Sequence, residues 1–521
     1  MRVSSSSILA LSLTAGATMA AKVERHYKVT VKATNMAPSG GTCQTPVWVG
    51  LHDGSFDLFN LGDAASPALE RIAEDGNVGP LRDDFMSHFT MGDDGIAISR
   101  AKDGSESMMM MDKMYQDAVL GSAPFCSGET VMYDMMVKTY NKEATPLYLS
   151  FASMVLPSND AFIGNGDPMK IPVTDMNGDF IATSPMMIMG DMVYDAGTEV
   201  NDEMPASTPM LGQMEPNTGT TENGVVSMHP GFMDGGNILS NANFMNADFT
   251  ADGYTMLKLQ IEAVELMPKM GTIKVTNMAP DQGTCNTPVF VAVHDGSYDL
   301  YNMGEAVTPG FERMAEDGNM AGLGEEFAAS KAGAFDGVVG SAPFCGGEVV
   351  MMDYKAWVMP DTAYYFSYAS MILPSNDAFV ANGNPMAYTL IEADGTMNDL
   401  TIQEMGSEVK DAGTEVNDEL PANTAFFGQA APDTGVVEDG VVTMHPGFLA
   451  AGSGGILDAA DFANADFTAE GYQTIKIQVM EKMEGGDDDG GMMGDDGDDD
   501  SASTISFFLA SSLALVAAFL A

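Results

Sequence analysis

The chain is short of basic residues. Only 22 Lys and Arg stand against 74 Asp and Glu in 521 residues, so the formal net charge is −52 at pH 7. A field of that sign repels nucleic-acid phosphates and anionic membranes, while it favours solubility and cation binding. Nucleic acid is therefore excluded as a partner. Catalytic signatures are missing too. No Gly-x-Ser-x-Gly turn presents a nucleophile, and no His-Glu-x-x-His helix is available for zinc. No Asn-x-Ser/Thr acceptor for N-linked sugar occurs either.

Cysteine is scarce, and its four copies fall as two pairs, Cys43 with Cys126 and Cys285 with Cys345, one pair in each half. The N-terminus reads as a secretory signal over residues 1–20. Arg2 is its positive end, Ile8 to Met19 its apolar stretch, and Ala20 and Ala21 the small residues for cleavage. In an oxidising compartment an even, paired count predicts one disulfide per half; the alternative is four buried free thiols.

Long apolar runs are also lacking. The one candidate, residues 507–521, is shorter than the ~20 residues that span a bilayer, and no Lys or Arg follows it. It is preceded by an acidic Gly, Met and Asp stretch over 485–503 that has no apolar periodicity and reads as a solvated spacer. Small residues, a spacer and a short apolar tail form the pattern of a glycolipid-anchor signal. The alternative is a single helix retained in the membrane. The expected location is the extracellular face of the plasma membrane, with membrane contact through this tail.

What is present is a long internal repeat. Thr42-Cys43-Gln44-Thr45-Pro46-Val47 returns as Thr284-Cys285-Asn286-Thr287-Pro288-Val289, and His52-Asp53-Gly54-Ser55 returns as His294-Asp295-Gly296-Ser297. Further on, Leu156 to Phe162 matches Leu373 to Phe379, Asp195 to Glu203 matches Asp411 to Glu419, and His229 to Phe232 matches His445 to Phe448. The offset falls from 242 to 217 residues, so the first copy carries an insertion, placed at the Gly-, Asp- and Met-rich stretch 92–116. A period this long signals duplicated domains and not a solenoid, whose repeats run about 20–50 residues. The copies are assigned to 24–265 and 270–482. With 45% hydrophobic residues each has enough apolar material for a core.

Within each copy apolar and polar residues alternate. Tyr27, Val29 and Val31 do so at the front, Leu257, Leu259 and Ile261 at the end, as do Ile273 with Val275 and Ile475, Ile477 and Val479 in the second copy. Period two with β-branched residues predicts half-buried strands. Residues 147–156 and 364–373 are apolar on both faces, as in a central strand, and Asn177-Gly178 and Asp394-Gly395 predict turns. Ser66 and Thr308, each followed by proline, predict the start of one helix per copy, stopped at Gly76 and Gly318. The expected fold is all-β, antiparallel β-sandwich domains in tandem, each with a short helix on a connection.

These repeated motifs carry a family likeness. The run His52 to Gly62, the Ala73-Glu74-Asp75-Gly76-Asn77 motif, the Pro157 to Phe162 block and the Tyr194 to Glu199 block resemble the spondin domain, the N-terminal adhesion module of F-spondin and mindin. The resemblance covers nearly all of both copies. It implies a β-sandwich, adhesion to matrix or cells without catalysis, and one bound Ca2+ per domain. The ligand set it implies is Asp160, Asp195 and Glu199 in the first copy and Asp377, Asp411 and Glu415 in the second. Two departures stand out: Asn159 and Asn376 replace the family's proline, and Glu replaces its last Asp. The residue chemistry agrees independently, since calcium takes six to eight hard oxygen ligands in irregular cages. Three loop carboxylates at one sandwich end repel each other unless a cation is present.

Other candidates are weaker. Asp175, Asn177 and Asp179 have helix-loop-helix calcium spacing, but Phe180 and Met186 occupy the glycine and glutamate positions. His52 and His294 beside Asp53, Asp295, Ser55 and Ser297 suggest a secreted hydrolase. Neighbours on a strand point to opposite faces, however, so a buried hydrogen-bonded role is expected instead. His229 and His445 read as turn residues, Asp202, Glu203, Asp418 and Glu419 as solvated acids, and the 45 methionines as adaptable core filler. The sequence reading is a calcium-binding adhesion or interaction protein whose partner is a protein, matrix or carbohydrate ligand. Its rivals are the hydrolase and an acidic matrix protein acting by bulk charge.

Overall fold

The computed structural model describes residues 22–90, 115–216, 218–432 and 434–482. The expected leader, spacer and tail, and all but the last two residues of the inserted stretch, lie outside them. The described chain divides between Val264 and Glu265 into two compact units.

In the first unit the chain forms β1 (Glu24–Asn35), β2 (Cys43–Gln44), β3 (Val47–His52), α1 (Pro67–Asp75), α2 (Gly79–Thr90), β4 (Gln116–Leu120), β5 (Thr130–Tyr140), β6 (Tyr148–Leu156), β7 (Ala161–Gly164), β8 (Met186–Met189), β9 (Tyr194–Asp195), β10 (Ser227–Met228) and β11 (Thr255–Glu265). A four-stranded sheet runs β5-β1-β11-β8, and the larger sheet runs β10-β9-β7-β6-β3-β4 with β2 beside β6. The strands pair antiparallel. The fold is the expected sandwich.

The alternating residues of β1 and β11 close over the larger sheet. Tyr27, Val29, Val31, Leu257 and Leu259 meet Val49, Leu149 and Phe151 in one buried cluster. The β3 strand shows no alternation because both its faces are covered. Trp48, on its other face, joins Leu69, Ile72, Leu81 and Phe85 of the helices. That second layer explains the doubly apolar β6, which lies inside the sheet between β7 and β3.

The α1 helix begins and ends as its sequence predicts. Ser66 accepts the Leu69 N–H at the N-cap, Pro67 opens the first turn, and Gly76 closes it at φ 65°. Thr308 and Gly318 repeat this in the second unit. The expectation of one helix per copy is corrected, because the described residues of each unit form two α-helices. The extra helix is poorly amphipathic: Leu81 and Phe85 are the buried pair in α2, one turn apart, so no continuous apolar stripe announces it.

The second unit repeats the plan with β12 (Met267–Asn277), β13 (Cys285–Asn286), β14 (Val289–His294), α3 (Pro309–Asp317), α4 (Ala321–Ser330), β15 (Gly333–Val339), β16 (Val349–Val358), β17 (Tyr364–Leu373), β18 (Ala378–Ala381), β19 (Thr389–Ile391), β20 (Leu400–Met405), β21 (Lys410–Asp411), β22 (Thr443–Met444) and β23 (Gln473–Glu481). Its sheets run β16-β12-β23-β20 and β15-β14-β17-β18-β21-β22.

Both disulfides form as expected, Cys43–Cys126 and Cys285–Cys345, and no free cysteine remains. Such bonds belong to extracellular proteins. Among the described residues no helix is long and apolar enough to cross a membrane. The closed loops span 83 and 60 residues. Replacing either pair by serine is expected to cost about 2–4 kcal/mol, read as a lower urea midpoint with a slope equal to or steeper than the parent's, since the unlinked unfolded chain exposes more surface. A midpoint that does not move would show that the unfolded chain gains nothing from losing the link.

Methionine does not fill the core. Among the described residues six methionines are buried and eighteen are exposed, whereas leucine is buried fifteen times and exposed three. The expectation of core filler is therefore corrected. Branched and aromatic side chains, with fewer rotamers to lose, occupy the interior.

Candidate metal centre

The repeated acids gather where β7, β9 and β10 end. Antiparallel pairing sets Ala161 opposite Asp195 and Ser227 opposite Asp195. Asp160, one residue before β7, thus lies against the 196–199 loop that leaves β9. Its Oδ2 accepts the Thr198 N–H at 2.8 Å, the Thr198 hydroxyl at 3.1 Å and the Glu199 N–H at 3.0 Å. Its Oδ1 is buried and has no hydrogen-bond partner. The loop requires glycine: Gly197 has φ 69°, and a Cβ there would stand 2.6 Å from the Val225 backbone.

The flanking acids are each held separately. Asp195 accepts the Gly197 N–H at 2.7 Å and the Asn201 side-chain amide at 2.5 Å. Glu199 accepts the Gly219 N–H at 2.8 Å. The second unit has the same arrangement. Asp377 accepts Thr414 N–H, Thr414 hydroxyl and Glu415 N–H, Asp411 accepts Gly413 N–H and Asn417, and Glu415 accepts Gly435 N–H. There Asp377 Oδ1 and Glu415 Oε2 are both buried without a hydrogen-bond partner.

Burial dominates the electrostatics. It pushes the Asp160 carboxyl up to about 6, reinforced by the Asp195 charge and opposed by the loop N–H donors. Asp377 rises to about 7 for the same reasons. Glu199 and Glu415 rise to about 7, first by burial and next by the acids of the neighbouring helix, Glu74 and Glu316 respectively. A carboxylate with a buried, unpartnered oxygen is costly to keep charged, and a cation is what relieves it.

The arrangement links these acids in pairs through Asp160 and through Asp377. Among the described residues no three His, Cys, Asp or Glu side chains converge as a metal-binding group. What fits a hard cation is the donor chemistry: oxygen ligands only, raised proton affinity, and bare oxygens on Asp160, Asp377 and Glu415.

Several participants were not singled out from sequence. Asn201 and Asn417 hold Asp195 and Asp411. Each lies two residues beyond the repeated Glu in both copies, and that recurrence was the available signal. Glu74 and Glu316 are buried near the α1 and α3 C-termini, beside Arg71 and Arg313. The reading of His229 and His445 as turn residues is incomplete. Both are buried, with Nδ1 accepting the N–H of Gly231 or Gly447, and His445 Nε2 contacts Asn417 at 3.1 Å. Packing between Phe232 and Phe249, or Phe448 and Phe467, keeps them neutral and lowers their pKa to about 4.

Glu203 and Glu419 are a correction. Expected to be solvated, they are buried, because the following loop folds back over them. Glu203 accepts the N–H groups of Met233 at 2.5 Å and Ile238 at 3.2 Å, while Glu419 accepts those of Leu449 and Ile456. Asp175 is spent on its own turn, accepting the N–H groups of Asn177 and Asp179.

His52 is fully buried and bonds Ser150 Oγ at 2.9 Å, with no bond to Ser55. Its Nδ1 accepts the Gly54 N–H, so the neutral ring carries its proton on Nε2 and donates it to Ser150. A ring so oriented cannot take the serine proton as a general base. Ser367 and Gly296 hold His294 in the same way.

No model of a known protein family matches the chain, and no curated protein matches it.

Proposed function

We propose that this chain is an extracellular adhesion or interaction protein built from two spondin-like domains, each stabilised by one calcium ion and neither catalytic. The observation that carries the reading is the bare, buried carboxylate oxygen of Asp160, repeated at Asp377, with proton affinities raised by burial. Asp160, Asp195 and Glu199 would hold the ion in the first unit, and Asp377, Asp411 and Glu415 in the second. A cation there would neutralise the loop acids and lock the β7–β9 end of the sandwich. The chain's own residues do the rest: the Thr198 and Glu199 N–H groups seat Asp160, and Gly197 and Asn201 orient Asp195. The inward, proton-donating orientation of His52 and His294 favours this reading over a hydrolase.

The partner class is a protein, matrix or carbohydrate ligand at the cell surface. Capture from native cell surfaces by the immobilised chain is expected to succeed in 2 mM calcium, about the upper end of extracellular-site dissociation constants, and to fail with a chelator. Asp160→Asn with Asp377→Asn should lose the calcium dependence. Two neutralised charges barely change a net −52, so bulk charge predicts full capture by that variant. Capture that ignores both chelator and variant would sink the calcium reading.

A further inference from the structure

The exposed methionines call for a chemical explanation, because packing does not supply one. Eighteen of the 32 exposed large apolar side chains among the described residues are methionine. The other fourteen are ten valines, three leucines and one phenylalanine, so among the long unbranched or γ-branched side chains exposure falls mainly on methionine. Nor do the methionines form one docking face. Met132 lies on β5 and Met187 on β8 of the smaller sheet, Met228 on β10 of the larger sheet, and Met176, Met204, Met214 and Met245 on loops. The distribution continues in the second unit with Met303, Met351 and Met386. A dispersed set suits a reaction at many independent sites better than one partner.

Methionine differs from leucine in that its thioether accepts an oxygen atom. The other readily oxidised side chains are sheltered in this protein. All four cysteines are locked in disulfides, and Trp48 and Trp357, the only two tryptophans of the chain, are buried. Methionines that matter for the core, such as Met135, Met154, Met256 and Met371, are fully or almost fully inside. The surface thus presents expendable thioethers around a protected interior.

We infer that the exposed methionines are a reversible oxidant sink, taking up peroxide in place of neighbouring molecules at the cell surface. In each event the thioether sulfur attacks one peroxide oxygen and the O–O bond breaks. A sulfur–oxygen bond forms, the sulfur gives up two electrons, and the other oxygen leaves as water. One peroxide is consumed per methionine, and the side chain becomes a sulfoxide that a reductase returns to the thioether. Since these side chains already face water, making them polar leaves the core packing untouched.

The test uses the full chain and graded hydrogen peroxide. Peptide mapping should show sulfoxide at the exposed methionines while Met135, Met154, Met256 and Met371 stay reduced. The melting temperature should hold within about 2 °C. A variant carrying Met176→Leu, Met192→Leu, Met204→Leu, Met214→Leu, Met233→Leu and Met245→Leu keeps the apolar surface and removes six of eighteen exposed thioethers. It should melt as the parent does, consume less peroxide by up to the six equivalents its removed thioethers would take, and protect a peroxide-sensitive thiol enzyme correspondingly less. Equal consumption by parent and variant would overturn the inference. So would buried methionines oxidising in step with exposed ones, or unfolding once the exposed set is oxidised.

Discussion

Millimolar calcium is expected to raise the melting temperature of this protein by several degrees at pH 8 and by almost nothing at pH 5. Without metal, Asp160 titrates near 6 instead of 3.8, Asp377 near 7 instead of 3.8, and Glu199 and Glu415 near 7 instead of 4.5. A carboxyl whose folded pKa is raised favours the folded state while protonated. Its stabilisation is complete below about pH 4 and disappears as pH rises through 6 to 7. At pH 8 ionisation of Asp160 alone costs roughly 3 kcal/mol. Calcium binds only the ionised form, so its contribution appears as that of the protons is lost. With a dissociation constant on the order of 10⁻⁴ to 10⁻³ M, 10 mM calcium returns about 1.4–2.7 kcal/mol per site.

Melting curves with calcium, magnesium and chelator across pH 5–8 check this. The buried histidines act in the opposite direction. His52 and His294, lowered to about 4 by burial, lose stability as pH falls from about 6.5. Their contribution is the same with and without metal and cancels in the calcium difference at each pH, which then reports the acids together with His229 and His445, the two histidines that face Asp195 and Asp411. Asp160→Asn with Asp377→Asn should abolish the calcium gain and shrink the chelated protein's decline at alkaline pH to the part that Glu199 and Glu415 contribute, whereas Asp202→Asn should change neither. Equal stabilisation by magnesium, or a response surviving the double variant, would mean screening of the −52 surface and no site.

Glu203→Ala and Glu419→Ala should each destabilise their unit by about 3–5 kcal/mol, far more than a surface acid. Each carboxylate caps two backbone N–H groups of a returning loop, and each sits at φ 49°, a conformation a glutamate rarely adopts. Ile238, one of the capped residues, packs against Cys43, Phe244 and Leu156 over the first disulfide. Loss of the clamp should therefore also speed reduction of Cys43–Cys126 by dithiothreitol in native buffer. If Glu203→Ala melts like the parent and its disulfide reduces no faster, the loop is held by its apolar contacts and the carboxylate is incidental.

How far the sequence is legible follows from the range of each interaction. Alternation in 27–31 and 257–261 located strands because one face of each meets the core and the other meets water, a rule local to the strand. Ser66, Pro67 and Gly76 bounded a helix because capping is settled within one turn. The α2 helix went unread because Leu81 and Phe85 are its only well-buried contacts, and Gly79 and Pro80 at its start look like a loop. The acids Asp160, Asp195 and Glu199 stood out by repetition, yet nothing local distinguished them from Glu203, which also repeats.

The sequence by itself determined the duplication, the acidic surface, the pairing of cysteines within each half and the β-sandwich class. Each of these depends on composition, spacing or period, which survive when the chain is unfolded. Tertiary structure alone decided which acids are buried. Glu203 meets Met233 and Ile238 across some thirty residues, and Asp160 meets Thr198 across 38. It also decided that His52 donates its proton inward to Ser150, 98 residues away, and that methionine faces water. The physical reason is common to all of them. Desolvation and hydrogen-bond direction are set by whatever the fold brings from elsewhere in the chain, and one residue's neighbours in sequence carry no record of it.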